Sequence, residues 1–160
     1  MGSTPNLGVA SSMKRTLQRG AQAVEFALIL PFFVLILLLI VDLGFLVYNK
    51  AVITNASREA ARAGTLLTAT WSSTEVASVA CNYARNALIS TRSGTRTSTC
   101  SGTADPVVTV SNPGGRLPPA LGDPISVTVT FPYQGFLTSF QGTTIEPAWS
   151  LKAVSTMNHE

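Results

Sequence analysis

One stretch constrains the fold more than any other: Arg19-Gly20-Ala21-Gln22-Ala23-Val24-Glu25-Phe26, running into Ala27–Val41. From Phe26 to Val41 there is no charge; Asp42 interrupts the run, and Leu43–Tyr48 resumes it. A helix crosses a bilayer with about 20 mostly apolar residues, each adding about 1.5 Å. Residues 21–41 or 26–48 supply that length with one acid included. The sequence therefore predicts a long helix over 21–67, with a membrane span of about 22–48. Two acids, Glu25 and Asp42, lie in or beside that span.

The net charge of +3 sits entirely in the leader, at Lys14, Arg15 and Arg19. From Ala21 onward, eight basic residues face eight acidic ones. A nucleic-acid binder would cluster Lys and Arg on its folded part, so no nucleic-acid partner is expected. The leader charge instead predicts a cytoplasmic N-terminus and an extracytoplasmic chain from about residue 49. Removing 1–20 and the helix leaves 68–160 as one small outer domain.

Both cysteines, Cys81 and Cys100, fall on the expected outer side, where oxidising conditions permit a disulfide. Such a bridge would close a loop of about 20 residues, worth roughly 3 kcal/mol in the chain-entropy picture. The alternative is two free thiols. There is no metal-ligand spacing, and the one histidine, His159, is next to last.

A secretory signal carries its cleavage site after the apolar core. Here the processing-like glycine comes before it. Cleavage after Gly20 would remove the basic residues, keep the apolar helix, and make Ala21 the first residue and Glu25 the fifth. That pattern resembles the signal of type IV prepilins. More narrowly, the stretch from Gly20 to Leu28, with Pro31 soon after and Ala56-Ser57-Arg58-Glu59-Ala60-Ala61-Arg62-Ala63-Gly64 downstream, resembles the TadE-like family. Those are minor pilins or pseudopilins of the tight-adherence (Flp) pilus. The C-terminal Ala153–Glu160 is also similar; 65–150 shows no motif of that family. The resemblance implies a prepilin peptidase, sibling pilin or pseudopilin subunits and the pilus assembly platform as partners. It implies an inner-membrane location before assembly and an extracellular one within a pilus.

A carboxylate deep in a bilayer is costly. In the first turn of a cleaved helix, Glu25 would instead lie near the interface, where the helix dipole and free backbone donors favour it. The resemblance implies that it pairs with the terminal amine of an adjacent subunit and sets axial register; the plainer alternative is an acid that caps a membrane helix. Pro31 removes one helical hydrogen bond and predicts a kink or a loosened turn. Such a bend would serve packing or membrane extraction, or would simply be tolerated. Asp42 is expected near the outer interface or against a partner subunit. Beyond Tyr48, Ile53, Ala56, Ala60, Ala63 and Leu67 form a seam of mostly small residues. It would pack on the chain's own domain or on a neighbouring helix. Arg58, Glu59 and Arg62 lie around it.

The outer domain reads as α+β. A second helix is expected from Ser72 or Ser73, with Glu75 near N3, to about Ser90. Residues 91–106 read as a loop in which Arg92 and Arg96 are solvated. The period then changes to two at Val108–Ser111, Ile125–Phe131 and Trp149–Ala153. This predicts an antiparallel meander of about three strands laid on the helices, in keeping with a pilin-like subunit. Tyr133–Phe140 either plugs the core edge or offers a contact patch.

No catalytic motif, cofactor site or paired carboxylates stand out, so no enzymatic activity is expected. The leading expectation is a minor pilin or pseudopilin matured at Gly20; the alternative is an uncleaved single-pass anchor that presents a binding domain.

Overall fold

A computed structural model gives the fold and describes residues 9–66, 71–91, 94–113, 115, 119–136 and 149–159. Leader residues 1–8, Leu67, Arg92, Leu137 and Phe140 lie outside the described residues. The chain divides into two compact units, Met1–Ile40 and Val41–Glu160.

Helix α1 spans Val9–Leu66 and runs through Pro31. It begins within the basic leader rather than at residue 21. Lys14, Arg15, Leu17, Gln18 and Arg19 are all good helix formers. The first unit consists of the leader and the apolar part of α1.

The second unit is an α+β domain built on the last part of α1. Helix α2 covers Ser73–Ala84. Strands β1 (Val107–Ser111), β2 (Pro124–Tyr133) and β3 (Trp149–Asn158) form one sheet in the order β1-β2-β3. Both pairings are antiparallel, with Val108 opposite Val129 and Val129 opposite Ala153. Pro132 is tolerated in the central strand because β1 pairs only as far as Thr130, leaving Pro132 with a partner on the β3 side alone.

The alternation in β2 sends Ile125, Val127, Val129, Phe131 and Tyr133 to one buried face. They meet Val52, Ile53, Ala56, Ala60 and Ala61 of α1 and Val76, Ala80 and Ala84 of α2 in one apolar cluster. The small-residue seam is thus part of the chain's own core, although Ala63 is only half-buried. Small side chains allow close approach: Ser57 Oγ lies 2.8 Å from Ser155 Oγ on β3. A Cβ at Gly64 would lie 3.4 Å from Val76 and 3.5 Å from Ile125, ordinary contact distances.

Helix α2 differs from expectation at both ends. Ser72 occupies the N-cap position, but its side chain makes no capping bond; its carbonyl accepts from the Glu75 and Val76 amides. The helix stops at Ala84 rather than near Ser90, although Ala87 and Leu88 continue the apolar period. Two tertiary contacts end it. Arg96 Nη1 donates to Arg85 O at 2.7 Å and to Leu88 O at 3.0 Å. Asn49 of α1 takes both peptide groups of Ile89. Exposed Arg96 is therefore a structural donor as well as a solvated charge.

Candidate functional site

Among the described residues, the apolar part of α1 is exposed. From Val24 to Val41 every large apolar side chain except Leu38 is exposed, Phe26 by 66% and Phe32 by 68%. Such a surface is unstable in water and needs lipid or other helices around it. By length and composition this helix is able to cross a membrane. Gly20 lies within α1, and Ala21, Glu25 and Pro31 are exposed on it or in its apolar run. Glu25 is the one acid between Ala21 and Val41.

Where the apolar run ends, the folded domain begins with a polar clamp. Asp42 Oδ1 accepts the Phe136 amide at 2.8 Å, and the Tyr133 hydroxyl lies 3.3 Å from Asp42 O and 3.5 Å from Oδ1. Burial first, and then the Asp42 carboxylate, pushes the Tyr133 hydroxyl up to about 12. Gly135 leaves room for this acid: a Cβ there would sit 2.7 Å from Asp42 Cγ. One helical turn on, Phe45 packs against Phe136 with ring centroids 6.1 Å apart.

Asn49, fully buried, then donates Nδ2 to Ile89 O at 2.6 Å and accepts the Ile89 amide on Oδ1 at 2.8 Å. The neighbouring Thr91 amide donates to Gln134 O at 3.0 Å, and the Gln134 amide donates to Ser90 Oγ at 3.2 Å. Residues 42–49, 89–91 and 133–136 are thereby bound together. Asp42 is engaged by its own chain rather than left facing outward.

These features coincide with a known sequence pattern. Residues 20–62 match the family model of the TadE-like proteins. The chain carries a TadE-like segment that starts at Gly20 and ends at Arg62. Neither a curated protein nor a solved structure gives a significant match. Through its family, the TadE-like segment associates the chain with the tight-adherence pilus machinery in general.

Gly20, Ala21, Glu25, Pro31, Asp42, Arg58, Glu59 and Arg62 all fall inside the TadE-like segment. The structure does not bring them to one place as an active site would. Arg58, Glu59 and Arg62 are exposed on α1, away from its buried seam of Ile53, Ala56 and Ala60. Cys81 and Cys100 lie outside the segment and are joined by a disulfide. Among the described residues no group of three or more metal-ligating side chains forms.

Three residues that hold the domain carried no recognisable sequence signal: Asn49, Gly135 and Asp105. Asp105 lies in the stretch read simply as a loop, yet it is buried. Its Oδ2 accepts the Thr97 amide at 2.7 Å, the Gly102 amide at 2.9 Å and the Thr97 hydroxyl at 3.0 Å. Burial alone would raise its carboxyl. These hydrogen bonds, with the Arg96 charge, outweigh burial and hold it below its ordinary value. Asp105 thus organises the disulfide-closed loop.

Proposed function

We propose that the chain is a minor pilin or pseudopilin of a tight-adherence pilus, cut after Gly20 and assembled through the apolar part of α1. The observation that carries this reading is the pairing of an uncovered apolar helix with a single exposed acid, Glu25, five residues after the glycine that opens the TadE-like segment. Removal of the basic leader would place a new α-amine at Ala21, within reach of Glu25 on the same helix or on a neighbour. In lipid or between packed helices an unpaired carboxylate is disfavoured by a few kcal/mol, so a cationic partner drives association and fixes register.

In this reading the lipid-facing run is Ala21–Val41, shorter than the 22–48 the sequence suggested. Asp42, Phe45 and Asn49 are occupied by contacts with their own domain. At about 1.5 Å per residue, the 21–41 run still matches a hydrocarbon core of about 30 Å. The leader charge orients the N-terminus to the cytoplasm and the domain outside. A prepilin peptidase, sibling subunits and the assembly platform are the partners this reading requires.

The test is a Glu25→Ala variant expressed in the host with its pilus system intact. The reading expects leader removal at the normal extent and loss of the subunit from sheared filaments or from cross-links to sibling subunits. Normal incorporation of the variant overturns the assembly role.

A further inference from the structure

Apart from Lys14 in the leader, the chain has two lysines, Lys50 and Lys152, separated by 102 positions. The fold brings the two residues together, with Lys50 Nζ donating to the Lys152 carbonyl, while the Lys152 side chain stands on the exposed face of β3, opposite buried Leu151 and Ala153. They meet at the end of the domain where α1 enters it. The same end exposes aromatic side chains: Tyr48 by 46%, Phe136 by 46% and Trp149 by 65%. Trp149 is opposite Tyr133 in the β2–β3 register, and Tyr133 reaches Asp42. Phe136 packs at a tilt against Phe45 and its amide holds Asp42. Within the folded unit, the first turns of α1 also expose Val41, Leu43 and Val47. The nearby acid, Asp42, is occupied by Phe136 and Tyr133.

Aromatic rings beside an apolar helix, with lysines just beyond them, match the chemistry of the headgroup region. Trp and Tyr are enriched there, and lysine stems lie along apolar surface while their ammonium groups reach phosphate. We infer that this end of the domain is a seat on the bilayer: Phe136 and Trp149, level with Asp42 and Tyr133, lie at the headgroup–acyl boundary, Tyr48 lies further out among the headgroups, and Lys50 and Lys152 bind lipid phosphates. The occupant is the lipid of the membrane that the chain itself crosses, because Leu43, Val47 and Tyr48 are exposed on the turns of α1 that directly follow the apolar run in sequence. The inference rests on the anchor reading above but does not depend on cleavage. It also accounts for Asp42, an acid that is satisfied internally so that the surface around it can be apolar.

The test uses the full chain reconstituted in phosphatidylcholine–phosphatidylglycerol vesicles. Trp71→Phe leaves Trp149 as the single reporter, and Trp149→Phe leaves Trp71. Trp71 bonds to Gly64 O, sixteen positions along α1 from Tyr48, and so reports on the far end of the domain. With a phosphatidylcholine brominated near the top of its acyl chains, Trp149 emission should fall about twofold or more, while Trp71 emission stays nearly constant. Equal quenching of the two reporters overturns the inference. So does Trp149 emission that is blue-shifted by increasing protein density yet unquenched, which would mean that a second copy covers the face. Flotation after alkaline carbonate separates the two readings. A chain that floats with Trp149 unquenched contradicts the seat and leaves the anchor standing, whereas a chain that does not float contradicts both. Circular dichroism identical to the parent's shows that each variant is folded.

Discussion

Asp42 occupies the space that any side chain at position 135 would need: a Cβ on Gly135 would lie 2.7 Å from both Cγ and Oδ2 of Asp42. The acid cannot simply swing aside, because its Oδ1 holds the Phe136 amide at 2.8 Å. Gly135→Ala should therefore destabilise the domain by about 1–3 kcal/mol, the range for breaking a hydrogen bond to a charged group. In an Asp42→Ala background the same change should cost little. The check is a double-mutant cycle by urea unfolding in detergent micelles, with a coupling of about 1 kcal/mol or more expected.

Asn49 binds both peptide groups of Ile89 from a fully buried position. Asn49→Leu should strand a buried donor and an acceptor and cost about 2–4 kcal/mol. Asn49→Asp should also be destabilising, because an ionised carboxylate has no proton to donate to the Ile89 carbonyl. Thermal unfolding monitored by circular dichroism reads both effects, and a melting temperature unchanged in either variant would contradict this role.

Asp105 provides a pH signature. Its folded-state value lies below the ordinary 3.8, so its contribution is complete above that value and is lost as pH falls through the lower, folded one. Stability should decline in acid below about pH 4, and Asp105→Asn should flatten that part of the profile. Tyr133 acts at the opposite extreme. Its hydroxyl is raised from 10.0 to about 12, so its contribution is present below pH 10 and is lost as pH climbs towards 12. Urea midpoints measured across pH, for the parent and for Asp105→Asn and Tyr133→Phe, check both signs.

The Cys81–Cys100 bridge joins positions 19 apart, from the core side of α2 to the loop that Asp105 organises. Reduction, or Cys81→Ser with Cys100→Ser, should remove about 3 kcal/mol by freeing the unfolded chain. The measurement is the shift in urea midpoint between oxidised and reduced protein.

Periodic features of the fold were legible in the sequence. Ile53, Ala56 and Ala60 at helical spacing marked the α1 face that enters the core, and alternation marked β2 and the first half of β3. The pattern failed where distant polar contacts decide. Ala87 and Leu88 continue the helical period of α2, but Asn49, forty positions from Ile89, and Arg96 take the peptide groups that would have extended it. Likewise, the sequence suggested that Asp42 lies near the outer interface or faces a partner subunit, whereas it is held by its own domain. Nothing local named a backbone amide 94 positions away, because an amide is common to nearly every residue. Gly135 gave no signal either, because its missing Cβ gains meaning only once it is seen to face a carboxylate. The glycine ahead of the apolar run and Glu25 stand out by spacing alone, and they fall in the 20–62 stretch that matches the TadE-like model.

The central claim concerns where the chain is cut, and the N-terminus of the protein recovered from its host tests it most directly. Terminal sequencing with intact mass should give a first residue of Ala21 and the loss of Met1–Gly20. A mature chain that retains the basic leader, or begins after the apolar run, would contradict the account.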